Sequence, residues 1–265
     1  MKNLEKDYWR YYVQVEYDSP VYKIVEDDKG RQTRINKCCF PVRLMDWDEY
    51  NDVAYPILVI SPTYLTRRLE LSEDDISLFE FVVYKHIKED SIDKMEKMFS
   101  MAFKESVKGM LYRHNGHEEV RFVFESDTDF YINKDNYLEV RQILMAQSFY
   151  FDPIVGKDER SQEVIDKAIK RIVKNKSTDD YNMESQIALV RSELGERDWY
   201  NYTYYELKVD YYTIIRKENY RAIHVYRVMG SDAKIPDFSA TNEAHINPLG
   251  EEVIFKKNDR NKDKY

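Results

Sequence analysis

Met110-Leu111-Tyr112-Arg113-His114-Asn115-Gly116-His117-Glu118-Glu119-Val120-Arg121-Phe122-Val123-Phe124 decides the fold class. Two β-leaning runs, Met110 to Tyr112 and Val120 to Phe124, flank Asn115-Gly116. That dipeptide accepts the positive backbone angles of a two-residue hairpin turn. An antiparallel hairpin therefore sits near the middle of the chain. Residues on its N-terminal side read as short strands and helices, and residues on its C-terminal side almost wholly as helix. The expectation is an α+β fold with a strand-rich N-terminal half, a helical C-terminal half and an extended C-terminal tail. The divisions fall at 1–132, 133–230 and 231–265.

Towards the N-terminus, Tyr11 to Tyr17 alternates, with Tyr11, Val13, Val15 and Tyr17 on one face. Tyr22 to Val25 is a second short strand, and the turn Glu26 to Gly30 reverses the chain into Gln32 to Leu44. Together these predict a small antiparallel sheet. Asp46-Trp47-Asp48-Glu49-Tyr50 opens a short helix towards Pro56, with Asp46 or Asp48 as its N-cap. Ile57 to Ile60 fits either element. Ser72 and Asp75 have capping-box spacing ahead of the stripe Ile76, Phe79, Val83 and Ile87. A second helix, Ser91 to Ser106, lines up Ile92, Met95, Phe99 and Ala102. After the hairpin, Asp127-Thr128-Asp129 reads as a turn, and Phe130 to Ile132 as a strand.

Beyond Asn133 the period is helical. Leu138, Ile143, Leu144 and Phe149 mark a helix that ends before Pro153. Val164, Ile165, Ala168, Ile169 and Ile172 mark the next, with Lys170, Arg171 and Lys174 near its C-terminal end, where cations suit the helix dipole. Met183, Ile187, Val190 and Leu194 form a third stripe closed by Gly195. Thr203 and Glu206 make a capping box before Leu207, Tyr211 and Ile214, and a last helical stretch runs from Tyr220 to Met229. The tail from 231 is polar, broken by Pro236 and Pro248, with Val253-Ile254-Phe255 as one apolar anchor that fits a short docking segment or a tail packed back on its own domain equally well.

Composition narrows the function. A chain of 265 residues with 43% hydrophobic content buries a core without a metal or disulfide staple. Its net charge of -8 and pI near 5.3 repel polyanions, whereas a duplex nucleic-acid binder draws its affinity from lysine and arginine. Cys38 and Cys39 are the only cysteines. As strand neighbours they point to opposite faces, so reduced thiols and an intracellular location are expected. Met1 to Arg10 is charged, unlike a signal peptide. The longest apolar run, Pro56 to Ile60, is too short to span a bilayer. No membrane association is expected.

Chemical motifs are sparse. His114, His117, Glu118 and Glu119 could cluster on a metal, but zinc needs three or four converging ligands, and a solvated turn explains them as well. Glu206-Leu207-Lys208, with Asp198 upstream, has the spacing of metal-dependent nucleases. Those pairs sit on a strand, however, and here i and i+2 on a helix face apart. Asp127 and Asp129 suit a hard cation, with no calcium-loop pattern around them. No Gly-rich phosphate loop and no nucleophile signature appear, so no catalytic residue, metal ligand or cofactor is assigned. The chain holds 23 tyrosines. They concentrate in Trp199-Tyr200-Asn201-Tyr202-Thr203-Tyr204-Tyr205 and again at Tyr211-Tyr212. Single-strand stacking platforms pair such rings with a positive groove, which is missing here. Protein interfaces favour aromatic anchors, so Trp199, Tyr200, Tyr204, Tyr205, Val253, Ile254 and Phe255 are the candidate partner-binding residues. Packing of one helix pair against the sheet half accounts for the rings equally well.

Two segments carry a family resemblance. Phe40-Pro41-Val42-Arg43-Leu44-Met45-Asp46-Trp47-Asp48-Glu49-Tyr50 resembles the aspartate-aromatic entry to the first helix of tail-region proteins of long-tailed bacterial phages, the tail-assembly chaperone-like group. Asp135-Asn136-Tyr137-Leu138-Glu139-Val140-Arg141-Gln142-Ile143-Leu144-Met145-Ala146-Gln147 is similar to that group's helix with an arginine-isoleucine pair and a terminal glutamine. A proline loop at Asp152-Pro153, a lysine-rich helix to Lys176, and helices at Met183 and Thr203 follow in matching order. The resemblance covers residues 40 to 230, and departs from the group in its tyrosine-rich fourth helix. It implies a non-enzymatic morphogenesis protein in the host cytoplasm that binds tape-measure or tail-tube protein, with homo-oligomerisation open. It equally fits a permanent subunit of the tail, baseplate or neck, found in the virion. A metal-dependent nuclease is the distant alternative.

Overall fold

The computed structural model describes residues 19–70, 76–86, 90–114, 117–175 and 182–230. The strand expected at Tyr11 to Tyr17, the Ser72 and Asp75 cap, the Asn115-Gly116 turn and Val253 to Phe255 lie outside these residues. The chain is α+β. Strands β1 (Tyr22–Glu26) and β2 (Gln32–Asn36) form an antiparallel ribbon, with Tyr22 opposite Asn36. Helices α1 (Trp47–Leu58) and α2 (Pro62–Arg68) follow, then α3 (Leu78–Phe81), which runs into a π-helical turn at Val82–His86, then α4 (Ser91–Phe103). A second antiparallel sheet of order β3-β4-β5 comprises Val107–His114, His117–Phe124 and Asp127–Ile132. Helices α5 (Tyr137–Ser148), α6 (Glu159–Asn175), α7 (Met183–Leu194) and α8 (Tyr204–Val228) complete it.

The hairpin forms as expected, with Val120, Phe122 and Phe124 buried at period two on β4. This face meets the helices ring to ring. Phe122 lies edge-on to Phe99 of α4 at 5.2 Å and to Phe79 of α3 at 6.0 Å, and Phe124 meets Phe103 at 5.0 Å. Such pairs add about 1 kcal/mol each beyond area burial. Met95, Phe99 and Ala102 are buried as the helical spacing requires. Buried residues from Val21 to Met145 form one continuous core, which α5 enters through Tyr137, Val140, Ile143 and Leu144.

Several elements differ from expectation. The second ribbon strand stops at Asn36 rather than Leu44, because the chain then crosses onto the helices. Phe40 N–H donates to the Ala102 carbonyl at 2.7 Å, and Gln147 Nε2 donates to the Cys39 carbonyl at 3.2 Å. Cys39 is buried there, and burial pushes its thiol up to about 12. Asp46 holds the N-cap position of α1 without capping it; its carboxylate accepts from Arg43 Nε at 2.7 Å instead. The helix carries Pro56 inside it and continues to Leu58. The described helix around Phe79 is capped by Ser77, not Ser72, in a capping box with Glu80. Helix α4 ends at Phe103, where Lys104 turns left-handed at φ 54°. Asp127 to Asp129 belongs to β5, so the turn is Glu125-Ser126. The two stretches at Thr203 and Tyr220 are one helix of 25 residues.

Candidate interaction surface

Helices α7 and α8 make a module on the main body. Val190, Tyr202, Leu207 and Ile214 form its small core, against which Leu44, Ile187 and Trp199 pack. Backbone and rings fasten it. Leu44 N–H donates to the Tyr202 carbonyl at 2.8 Å, and Tyr204 N–H to the Val42 carbonyl at 3.0 Å. Tyr204 stacks on Trp47 of α1, with centroids 3.5 Å apart and planes 4° from parallel. Trp47 also meets Tyr150 at 6.0 Å, whose hydroxyl donates to Asn51 Oδ1 at 2.5 Å. Tyr205 is buried against Phe149 at 5.4 Å. Burial holds the Tyr204 and Tyr150 phenols above their ordinary range, so these rings stay neutral.

The aromatic run is thus divided. Tyr204 and Tyr205 spend their rings inside the seam between module and body, Trp199 is half-buried edge-on to Tyr202, and Tyr200 alone of the four is open, at 63%. Arg43 lies over the Tyr200 ring at 5.4 Å. Val253, Ile254 and Phe255 are outside the described residues.

The motifs weighed for chemistry have structural partners. Glu206 Oε2 accepts from Thr203 N–H at 2.9 Å, and Glu206 N–H donates to Thr203 Oγ1 at 3.2 Å, completing the cap of α8. Lys208 Nζ donates to Gln186 Oε1 at 2.9 Å, and Asp198 Oδ2 accepts from Asn201 at 2.8 Å. Lys23 bridges Asp127 and Asp129, filling with an ammonium the place a hard cation would take. Glu118 pairs with Arg113, and Glu119 with Arg121. Among the described residues no group of three or more His, Cys, Asp or Glu is placed to hold a metal ion. No helix among them is long and apolar enough to cross a membrane.

The surface that sequence reasoning missed is the free end of α8. Gln186 meets Lys208 near the start of both helices, and Glu193 meets Lys217 at 4.0 Å farther on, so α7 and α8 run in the same direction. Helix α7 stops at Leu194 while α8 continues to Val228. The last three turns therefore extend past their neighbour. Val225, Tyr226, Val228 and Met229 are exposed at 58%, 61%, 88% and 77%. Ala222, Val225, Tyr226 and Met229 fall at i, i+3, i+4 and i+7, one apolar stripe. The signal was legible as spacing. Its exposure depends on where α7 ends, which spacing does not carry. Comparison with family models, curated proteins and solved structures returned no match for this chain.

Proposed function

We propose that this chain is a non-enzymatic assembly protein of long-tailed phages, acting in the host cytoplasm by binding tape-measure or tail-tube protein. The resemblance over residues 40 to 230 suggests the class. The observation that carries the binding role is the bare stripe Ala222, Val225, Tyr226 and Met229 on the free end of α8. Monomeric proteins rarely leave contiguous apolar surface open unless it meets something. A projecting amphipathic helix is suited to an apolar groove or to the apolar face of another helix. Burial of a Val or Met side chain contributes about 1.5–3 kcal/mol, so three anchors of that size contribute roughly 4.5–9 kcal/mol against the cost of association.

The test is an affinity capture from infected cells together with mass spectrometry of purified particles. The wild-type chain should retain tail-tube or tape-measure protein and be absent from particles. Replacing Val225, Tyr226 and Met229 together by serine should cut the retained amount at least about tenfold, the effect of some 1.4 kcal/mol. Presence in the particle at a fixed copy number would replace the chaperone by a permanent virion subunit. Absence from particles with no tail protein captured would overturn the proposal.

A further inference from the structure

Strand β1 has two edges, and β2 takes one of them. Lys37 N–H donates to the Val21 carbonyl at 2.8 Å, and Asp27 N–H donates to the Arg31 carbonyl at 3.0 Å. The odd-numbered residues of β1 between these bonds therefore pair with β2. Tyr22, Ile24 and Glu26 turn their N–H and C=O groups to the opposite edge. Such a row of donors and acceptors is a template for another strand. The body meets the ribbon on the face that carries Lys23, which pairs with Asp127 and lies over the Phe130 ring at 5.0 Å. On the other face Tyr22 and Ile24 are exposed. A two-stranded ribbon with so little covered is marginal in water, and a third strand stabilises it.

The course of the chain identifies the strand that fits. The backbone bends at Pro20 and Val21, directly before β1. Val21 N–H donates to Ser19 Oγ at 3.2 Å, the bond of a serine turn. Arg34 lies over the Tyr22 ring at 3.9 Å, and its Nη2 donates to the Ser19 carbonyl at 2.6 Å. Ser19 is buried, so the chain is pinned at the foot of β1. Tyr17 stands two residues before this point, about 7 Å away at full reach. We propose that residues 11–17 dock as a third strand, antiparallel, on the free edge of β1.

Loop and register agree. Asp18-Ser19-Pro20-Val21 makes a four-residue hairpin loop. Tyr17 then faces Tyr22, Val15 faces Ile24 and Val13 faces Glu26. These pairs exchange both hydrogen bonds, because the even-numbered residues of β1 carry the outward groups. Opposite residues share a face, so Tyr17 and Val15 lie beside the exposed Tyr22 and Ile24. A slip of one residue would set Glu16 and Gln14 there instead. Occupied in this way, the edge is closed to a strand of any other chain. The docking uses no residue of α8 and goes beyond the assembly role.

Amide exchange of the full-length chain, read residue by residue by nuclear magnetic resonance, tests this. Ile24 and Glu26 should exchange as slowly as Lys23 and Val25, whose N–H groups bond to β2. Val15→Pro removes the donor to the Ile24 carbonyl and should speed exchange at Ile24 and Glu26 at least about tenfold. Gln14→Pro, whose nitrogen faces away from β1 in this register, should leave both slow. Fast exchange at Ile24 and Glu26 in the wild-type chain overturns the proposal. Equal loss of protection in the two variants, or loss in neither, does the same. Protection that grows with protein concentration also overturns it and assigns the edge to a second copy. No tail protein enters the measurement, so its failure leaves the proposed function standing, and a failed capture leaves this docking intact.

Discussion

Tyr137 keeps its hydroxyl where no hydrogen-bond partner meets it. The ring is fully buried and lies 5.3 Å from Phe79, and burial pushes the phenol up to about 12. A buried hydroxyl without a partner costs about 1–3 kcal/mol relative to one in water. Tyr137→Phe keeps the ring contacts and removes the orphan, so it should raise the unfolding free energy by about 1 kcal/mol in urea titrations. A loss of that size would show that the hydroxyl is satisfied and sink the argument. One turn on, Arg141 is 2% exposed and held by Asp152, which leaves its Nε without a partner. Helical spacing places both residues on α5, yet it says nothing about whether a buried polar atom finds an acceptor. Asp127 makes the same point, since it reads locally as a turn residue or cation ligand. Its partner, Lys23, lies 104 residues away in sequence, and no local pattern reaches that far.

At the scale of elements, hairpin, α4, α5, α7 and the cap of α8 were legible because each rests on one short-range rule. The strand rule gives Val120, Phe122 and Phe124, and the capping rule gives Thr203 and Glu206. The ribbon strand beyond Asn36 was not legible. Cys39 is apolar like a strand residue, but its carbonyl accepts from the Gln147 side chain of α5, and the next residue, Phe40, bonds to Ala102 of α4. Gly109 shows why β3 starts before Met110. Its N–H donates to Glu96 Oε1 at 2.8 Å, and a Cβ there would come within 2.7 Å of Ile92. Helix α4 therefore rests directly on the strand backbone. Helix α3 depends on its cap. Ser77 N–H and Oγ both donate to Glu80 Oε2, at 3.1 and 2.7 Å. The Ser77 hydroxyl bond holds the Glu80 carboxyl below its ordinary 4.5. Because the folded value lies below the unfolded one, this contribution is present in full above pH 4.5 and is lost as pH falls through the folded value. In Glu80→Gln the amide oxygen still accepts from Ser77 but does not titrate. The wild-type melting temperature should exceed the variant's at pH 6, and the gap should close as pH falls through the lowered folded value. A gap that stays constant with pH would remove the carboxylate from the account.

At the scale of the whole molecule, the body and the free end of α8 carry separate tasks. Core burial runs from Val21 to Met145, and the module adds Val190, Tyr202, Leu207 and Ile214. The last buried residue of α8 is Ile214, so nothing beyond it contributes to either core among the described residues. The stability of the body is then set before residue 218, and a chain ending at Gly230 should unfold cooperatively with a free energy within about 1 kcal/mol of the full chain. Loss of cooperative unfolding would mean that residues 231–265 belong to the core, and would contradict a body that is complete by Ile214. A projecting stripe of this kind costs the core nothing to alter, so partner specificity and fold stability are free to vary separately in this architecture.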